Sequence, residues 1–403
     1  MSDPLLSLAS DRIITPDGVQ RGYLHIKQGQ IVGLDNTPRG QLVDYRHAML
    51  MPGFVDIHVH GWGRGSFAWK GERHSLCAMS RDLVNAGVTA WLATSATQPD
   101  AFLLESLATA TDWISHAKAE DGAEAVGIHM EGPFINAKYS GMQRKESIQS
   151  PSIEAFERYQ HAARGYIRLM TLAPELPDAL PLIRHLRQAG VTVSAGHTDA
   201  TFDETTRAIE AGLCHFTHAF SAMRGLHHRE PGVVGALMYH QDTFAEVAKQ
   251  SGITLRPEVF DILYRLKKDR RLVMVSDCLG YVDFPDGFEF HHYLRQETFR
   301  IHQHLLEITD RHGNTRTVSP DDWADVCTLE MSFLDSVKNV VDRLENSWVS
   351  VAQIACLNPA ILAGVERRKG SLTPGKDADI LVLNETLNLE AVWCRGVLQP
   401  LAK

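Results

Sequence analysis

The sequence predicts an α/β fold: a closed (β/α)8 TIM-type barrel carrying a small β-sandwich built from both ends of the chain. Three observations lead there. Eight short apolar runs alternate with longer segments of helical spacing, and that alternation implies parallel βαβ units. Both ends read instead as short strands broken by turn residues. The apolar runs also tend to finish in His, Glu or Asp, and barrel enzymes place their chemistry at the carboxyl ends of their strands. A doubly wound open sheet is the competing architecture, but no Gly-rich dinucleotide fingerprint follows the first run.

The chain has 403 residues, 44% hydrophobic and 22% charged, the composition of a globular protein with room for one large domain and a small one. Its formal net charge of −9 argues against a nucleic-acid partner, since no basic stripe is present to neutralise phosphates. A small anionic substrate remains open, because one local Arg suffices for it. Met1 to Ala9 lack the basic start and apolar core of a signal peptide, and no apolar run nears the ~18 residues of a membrane span. Cys77, Cys214, Cys278, Cys327, Cys356 and Cys394 are scattered without a CxxC pair. A cytoplasmic location is the expectation.

Along the chain, residues 1–52 supply the first part of the sandwich: Ser10 to Thr15, Gly22 to Ile26, then Gln28-Gly29-Gln30 before Ile31 to Leu34, a hairpin signal. The barrel is expected over 53–365. Its strands are read at Phe54–His60, Val88–Thr94, Ala125–Glu131, Ile167–Ala173, Val191–His197, Leu213–His218, Phe244–Lys249 and Leu272–Asp277. Helical spacing occupies Arg73–Ala86, Ala101–Ala117, Ile153–Ala163, Leu180–Ala189, Thr205–Ala211 and Pro257–Leu266. A polar excursion follows the eighth strand, at about 281–330. Residues 366–403, with Ile380-Leu381-Val382-Leu383 and Val392-Trp393-Cys394, return to the sandwich.

The stretch Pro52-Gly53-Phe54-Val55-Asp56-Ile57-His58-Val59-His60-Gly61 organises the rest. Residues two apart on a strand face the same way, so His58 and His60 present both imidazoles together. The later runs end in Glu131, His197, His218 and Asp277. Any one of these alone reads as a core or capping residue. Together, three or more His and a Glu with an Asp beside them suit a divalent metal with an open position, hence catalytic rather than structural. Zn, Fe, Mn and Co all accept this ligand mix, with one or two ions per subunit.

The motifs resemble the amidohydrolase superfamily and, within it, the N-acetylglucosamine-6-phosphate deacetylase family. They are the stretch just quoted, Gly127-Ile128-His129-Met130-Glu131-Gly132-Pro133-Phe134, Leu172-Ala173-Pro174-Glu175 and Ser194-Ala195-Gly196-His197-Thr198-Asp199-Ala200. His227-His228-Arg229-Glu230-Pro231-Gly232, Val275-Ser276-Asp277 and Gly375-Lys376-Asp377-Ala378-Asp379 continue them, so the resemblance spans essentially the whole chain. It implies that Glu131, His197 and His218 form the constant metal site, and that His58 and His60 add a second ion with Glu131 as bridge. It makes Asp277 the catalytic carboxylate. Arg229 would grip a sugar phosphate, reaching into a neighbouring subunit's site in a homodimer, with His228 nearby. Met142, Gln143, Ser221, Ala222, Thr254 and Thr328 fall where the family touches its substrate. The implied reaction removes the acetyl group from an N-acetylamino sugar phosphate.

The chemistry asks for these groups. A metal lowers the pKa of water toward ~7 and polarises the amide carbonyl. A carboxylate within hydrogen-bond reach takes the proton and returns it to the leaving amine. The departures lie on the substrate side. The family's Asp-Gly-x-His after strand seven is Ser251-Gly252-Ile253-Thr254 here, and threonine cannot replace a polarising imidazole. The family's Asn-Ala-Met is Ser221-Ala222-Met223, and a Gly-Ser-x-Leu loop is replaced by Val326-Cys327-Thr328-Leu329. The insertion with His291, His292, His302 and His304 is placed to reshape the same mouth. A different N-acyl or non-phosphorylated substrate, or a silent sugar-phosphate-binding paralogue, are the alternatives. Thr171-Leu172-Ala173 at the fourth strand's end has no Lys, which disfavours the cyclic-amide hydrolases of the superfamily.

Overall fold

The computed structural model describes residues 5–248, 255–292, 296–303, 305–319 and 322–402. Eight parallel strands form the barrel sheet in sequence order: Phe54–Val59, Val88–Ser95, Glu124–Glu131, Ile167–Leu172, Thr192–Ala195, His215–Phe216, Phe244–Ala248 and Leu272–Val275. All eight expected runs are strands. Lys249, the last residue expected in the seventh, and Thr254 lie outside the described residues. The eighth strand meets the first through their continuations, where the Asp277 amide donates to the His58 carbonyl (2.8 Å) and the His60 amide to the Cys278 carbonyl (2.8 Å).

The strands end earlier than the apolar runs do. Regular pairing stops at Ala195, Phe216 and Val275, leaving His197, His218 and Asp277 two residues beyond. Each of these three has a left-handed backbone, at φ 50°, 31° and 48°. That conformation is costly for residues with a Cβ and collects at functional sites. It turns the chain out of the sheet and swings the side chain over the barrel's axis.

The helices begin and end close to their expected bounds, for example Arg73–Val84, Asp100–His116 and Pro257–Lys267. The helix expected at Thr205 starts at Phe202 because Thr201 and Glu204 form a reciprocal cap, each side chain accepting from the other's amide. Trp323–Val326, Phe333–Val341, Trp348–Ala352 and Asn358–Leu362 are helices without a sequence counterpart, and so is Gly232–Tyr239. It is apolar all round and buried from Gly232 to Leu237, so it lacks the polar face that marks a surface helix.

Both chain ends join one eight-stranded sheet, with Ile380–Leu383 pairing antiparallel to Met49–Pro52. The long first strand, Leu6–Thr15, changes partners at a bulge between Ser10 and Ile13. Before it the strand pairs with Gln41–Asp44, and after it with Met49–Pro52. A strand that switches partners is how a sheet turns a corner around its own core. Alternate residues then serve two cores. Leu50, Ile380, Val382 and Trp393 pack inside the small domain, whereas Met49, Met51, Leu381 and Leu383 pack on the barrel. That is why these strands are apolar at every position.

The polar excursion is a third folded piece. Glu289–His292, Glu297–His302, Leu305–Thr309 and Thr315–Val318 make an antiparallel sheet. Phe299, Ile301, Leu306, Ile308 and Val318 point to one face and share a core with Tyr281 and Phe284. The charged alternate positions hide this pattern in a composition reading. Asp283 anchors the piece to the loop after the first barrel strand, accepting from the Ser66 amide (2.8 Å) and the Ser75 hydroxyl (2.6 Å). His291 and His302 face solvent, and His304 lies outside the described residues.

Candidate metal centre and active site

The groups read from the strand ends converge. Glu131 Oε1 lies 3.0 Å from His197 Nε2 and 3.0 Å from His218 Nε2, and those two nitrogens are 3.1 Å apart. Glu131 Oε2 lies 3.1 Å from His60 Nε2, which is 3.2 Å from His58 Nε2. His58 Nε2 is also 3.5 Å from Glu131 Oε1. Two triads, His58/His60/Glu131 and Glu131/His197/His218, thus share one carboxylate. With metal–ligand bonds of about 2.0–2.2 Å, neighbouring ligand atoms sit about 3.0–3.5 Å apart in octahedral or tetrahedral arrangements. The observed spacings match such edges, so the residues fit a divalent ion in each triad.

Asp277 Oδ1 stands 3.4 Å from His58 Nε2 and 3.6 Å from His60 Nε2. Its side chain is 23% exposed, whereas Glu131 is 2% and His58 0%. Asp277 is therefore the carboxylate of this cluster that solvent reaches. The loop behind it is clamped by Glu330, which accepts from the Leu279 and Gly280 amides at 2.8 Å each.

Charge and burial work against one another here. Burial pushes Glu131 up, but the charges of His58 and His197 hold its carboxyl well below the usual range. Burial pushes His58 down, yet Glu246, Asp277 and Glu131 raise it well above an ordinary imidazole, and Glu131 raises His218 in the same way. Both directions say that the cluster seeks positive charge, as protons or as a metal ion. Below it, His129 is held well under the usual value by burial and by His58, and burial takes His215 down to about 4.

The outer imidazole nitrogens decide which nitrogen faces the centre. His197 Nδ1 lies 2.8 Å from the Tyr139 carbonyl, and His58 Nδ1 lies 2.9 Å from Glu246 Oε2. Glu246 is fully buried on the seventh strand. The sequence reading missed it, although a lone carboxylate inside the apolar run Phe244-Ala245-Glu246-Val247-Ala248 is a usable signal. Burial pushes Glu246 up, but His58 and His215 bring it down to about 2, so it stays ionised.

The substrate-side residues divide. Gln143 is brought to the centre, its amide donating to Glu131 Oε2 and its carbonyl accepting from the Thr97 amide (2.5 Å). The loop carrying Met142, which is exposed, lies on His197, since a Cβ at Gly141 would sit 3.5 Å from that ring. Ser221 and Ala222 form the turn after His218, the Ser221 amide donating to the His218 carbonyl and the Ala222 carbonyl accepting from the Thr198 amide. His228 and Arg229 pair with each other on an exposed loop (2.9 Å), away from the metal ligands in their contacts. Thr328 is exposed and donates to the Asp325 carbonyl (2.7 Å).

A (β/α)8 barrel whose strand ends bring together two triads that share a carboxylate, each able to hold a divalent ion, beside a half-open carboxylate, is the frame of a hydrolase. The Amidohydrolase family profile matches residues 49–398. The chain belongs to the amidohydrolase family and is an amide hydrolase. It is 32% identical over 391 residues to N-acetylglucosamine-6-phosphate deacetylase of Bacillus subtilis (strain 168), covering 96% of this chain and 94% of that one. It is 29% identical over 395 residues to N-acetylgalactosamine-6-phosphate deacetylase of Escherichia coli O157:H7, covering 97% and 98%. Among solved structures it resembles the N-acetyl-D-glucosamine-6-phosphate deacetylase of Mycobacterium smegmatis, a mutant in complex with N-acetyl-D-glucosamine-6-phosphate. That match has a TM-score of 0.81 at 25% identity, over 99% of each chain. No helix among the described residues is long and apolar enough to cross a membrane.

Proposed function

We propose that the chain hydrolyses the amide of an N-acetylamino sugar phosphate, of the N-acetylglucosamine-6-phosphate kind, to the amino sugar phosphate and acetate. The observation that carries this is the shared Glu131 between two His pairs, with Asp277 poised over one of them. The relatives' names supply the substrate class. Divalent ions bound to the two triads would polarise the amide carbonyl and make water nucleophilic near neutral pH. His58, His60 and Glu131 would hold one, and Glu131, His197 and His218 the other. Zn, Fe, Mn and Co are the candidates.

Asp277 takes a proton from water and passes it to the departing nitrogen, and its partial exposure lets it reach both partners in turn. Gln143 fixes Glu131 while leaving both carboxylate oxygens directed at the imidazoles. Arg229 offers a planar fork for a phosphate, and its exposed position leaves it free to reach a neighbouring subunit's site in a homodimer, with the cytoplasm as the compartment. Met142, Ser221 and Ala222 border the sugar, and Thr254 stands in sequence where the family has an imidazole. Thr328 and His228 complete the substrate contacts.

The test uses metal-loaded protein and a panel of N-acetylhexosamines with and without a 6-phosphate, in both gluco and galacto configurations. Free amine and acetate in equal amounts from a phosphorylated member support the reading. Turnover confined to non-phosphorylated or other N-acyl compounds moves the substrate, and tight binding without turnover points to a silent paralogue.

A further inference from the structure

We propose that Glu246 is a positioning residue that orients His58 for the His58/His60 ion and ties that triad to the strand carrying His218. This rests on the two-ion reading above. The Glu246 side chain is fully buried, and its Oε2 receives two donors, one from the first strand and one from the turn after the sixth. One is His58 Nδ1 at 2.9 Å, and the other is the backbone amide of His218 at 2.8 Å. The Glu246 backbone carbonyl also accepts from the Ala219 amide at 3.1 Å. Its Oε1 faces His215 Nε2 at 3.5 Å.

With Nδ1 held by a carboxylate, the proton of His58 is fixed there and the Nε2 lone pair faces the centre. His60 has no such anchor, since its Nδ1 has no hydrogen-bond partner among the described residues. In the second triad His197 is anchored through Tyr139, independently of Glu246. Each triad therefore has one oriented imidazole, and removing the Glu246 carboxylate should loosen one triad far more than the other. In Glu246→Gln one side-chain oxygen can still accept from both the His218 amide and His58 Nδ1, and what is lost is the negative charge facing the His58 ring, which makes it the informative variant.

The experiment titrates Co(II) into metal-free wild type, Glu246→Gln and Glu246→Asp. It follows the visible spectrum, metal content after gel filtration and the metal-free melting temperature. Wild type takes up two equivalents. Glu246→Gln keeps one with unchanged affinity and binds the other 10–100-fold more weakly, with an altered spectrum, while Glu246→Asp recovers part of the loss. Two unchanged affinities in Glu246→Gln overturn the proposal. So does equal weakening of both ions with a lowered metal-free melting temperature, which is the mark of a purely structural residue. Should Glu246→Gln fail to fold, Glu246→Asp is read the same way: a selective loss supports the proposal, and unchanged or equal affinities overturn it. A wild type that binds a single equivalent removes the two-ion reading and this inference with it, an outcome distinct from an indifferent variant.

Discussion

Barrel strand three, Glu124–Glu131, carries a carboxylate at each end, half-buried at its start and buried at its finish, and the two ends are electrostatic opposites. At its start Glu124 meets Lys369, whose Nζ lies 2.6 Å from Glu124, 2.9 Å from Asp377 and 2.7 Å from Asp379. Arg368 adds a contact to Glu124 at 2.8 Å. With Arg395 3.9 Å from Glu124, that cluster sets three cations against its three carboxylates and joins the barrel to the small domain. Burial and Lys369 pull its members in different directions. Glu124, which also has Arg368, falls to about 2, while Asp379, more deeply buried and beside Asp377, rises. At the strand's other end, imidazole nitrogens and carboxylate oxygens face one another around Glu131. A buried charge is therefore weak grounds for a site. Convergent lone pairs short of positive charge are strong grounds.

The contrast can be broken in order of effect. Asp277→Asn should lower amine release by about 10²–10⁴-fold, the usual worth of a general acid–base group, with metal content and melting temperature near wild type. Undiminished turnover would remove Asp277 from the chemistry. Lys369→Met should do the reverse. It leaves carboxylates buried without their cation, costing about 3–5 kcal/mol in urea unfolding, while the metal equivalents bound by the folded protein stay the same. A loss of metal at full stability would show that the two ends are not separate.

Acid probes the lower cluster through Glu124. Glu124 has its folded pKa lowered from 4.5 to about 2, so its stabilisation is complete above 4.5 and lost as pH falls through that interval. The loss should be on the order of 3 kcal/mol, and Glu124→Gln should flatten that part of the stability–pH curve. An unchanged slope in the variant would assign the acid sensitivity elsewhere. The smallest effect belongs to exposed Arg229, outside both clusters. Arg229→Ala should raise KM about tenfold to a hundredfold for a phosphorylated substrate, from a lost charge-assisted contact of about 1.5–3 kcal/mol. An equal change with an unphosphorylated analogue would sink its phosphate role.

Much of this was legible in the residue order. The short apolar runs alternating with helical segments located all eight barrel strands, and the side chains closing them located Glu131, His197, His218, His58, His60 and Asp277. What escaped did so for physical reasons. The left-handed turns at His197, His218 and Asp277 are set by tertiary closure, so the runs overstate strand length there. Gly232–Tyr239 is apolar all round and leaves no amphipathic trace. The sheet at 289–318 alternates charged and apolar residues within a segment whose bulk composition is polar. Glu246 sits in an apolar run, and only the position of His58 across the barrel shows what it is for. Gln143 was assigned to substrate, and the fold gives it Glu131 as a partner.

The pairing of Met49–Pro52 with Ile380–Leu383 also sets a timetable for biosynthesis. The two segments leave the ribosome about 330 residues apart, on the order of 20–60 s at ordinary elongation rates. Until the second arrives, an edge with Met49, Leu50 and Met51 stays unpaired, apolar and open to chaperones or to a neighbouring nascent chain. A circular permutant that fuses the two ends and opens a surface loop instead would make these partners near neighbours, and it should refold with less aggregation than the natural order.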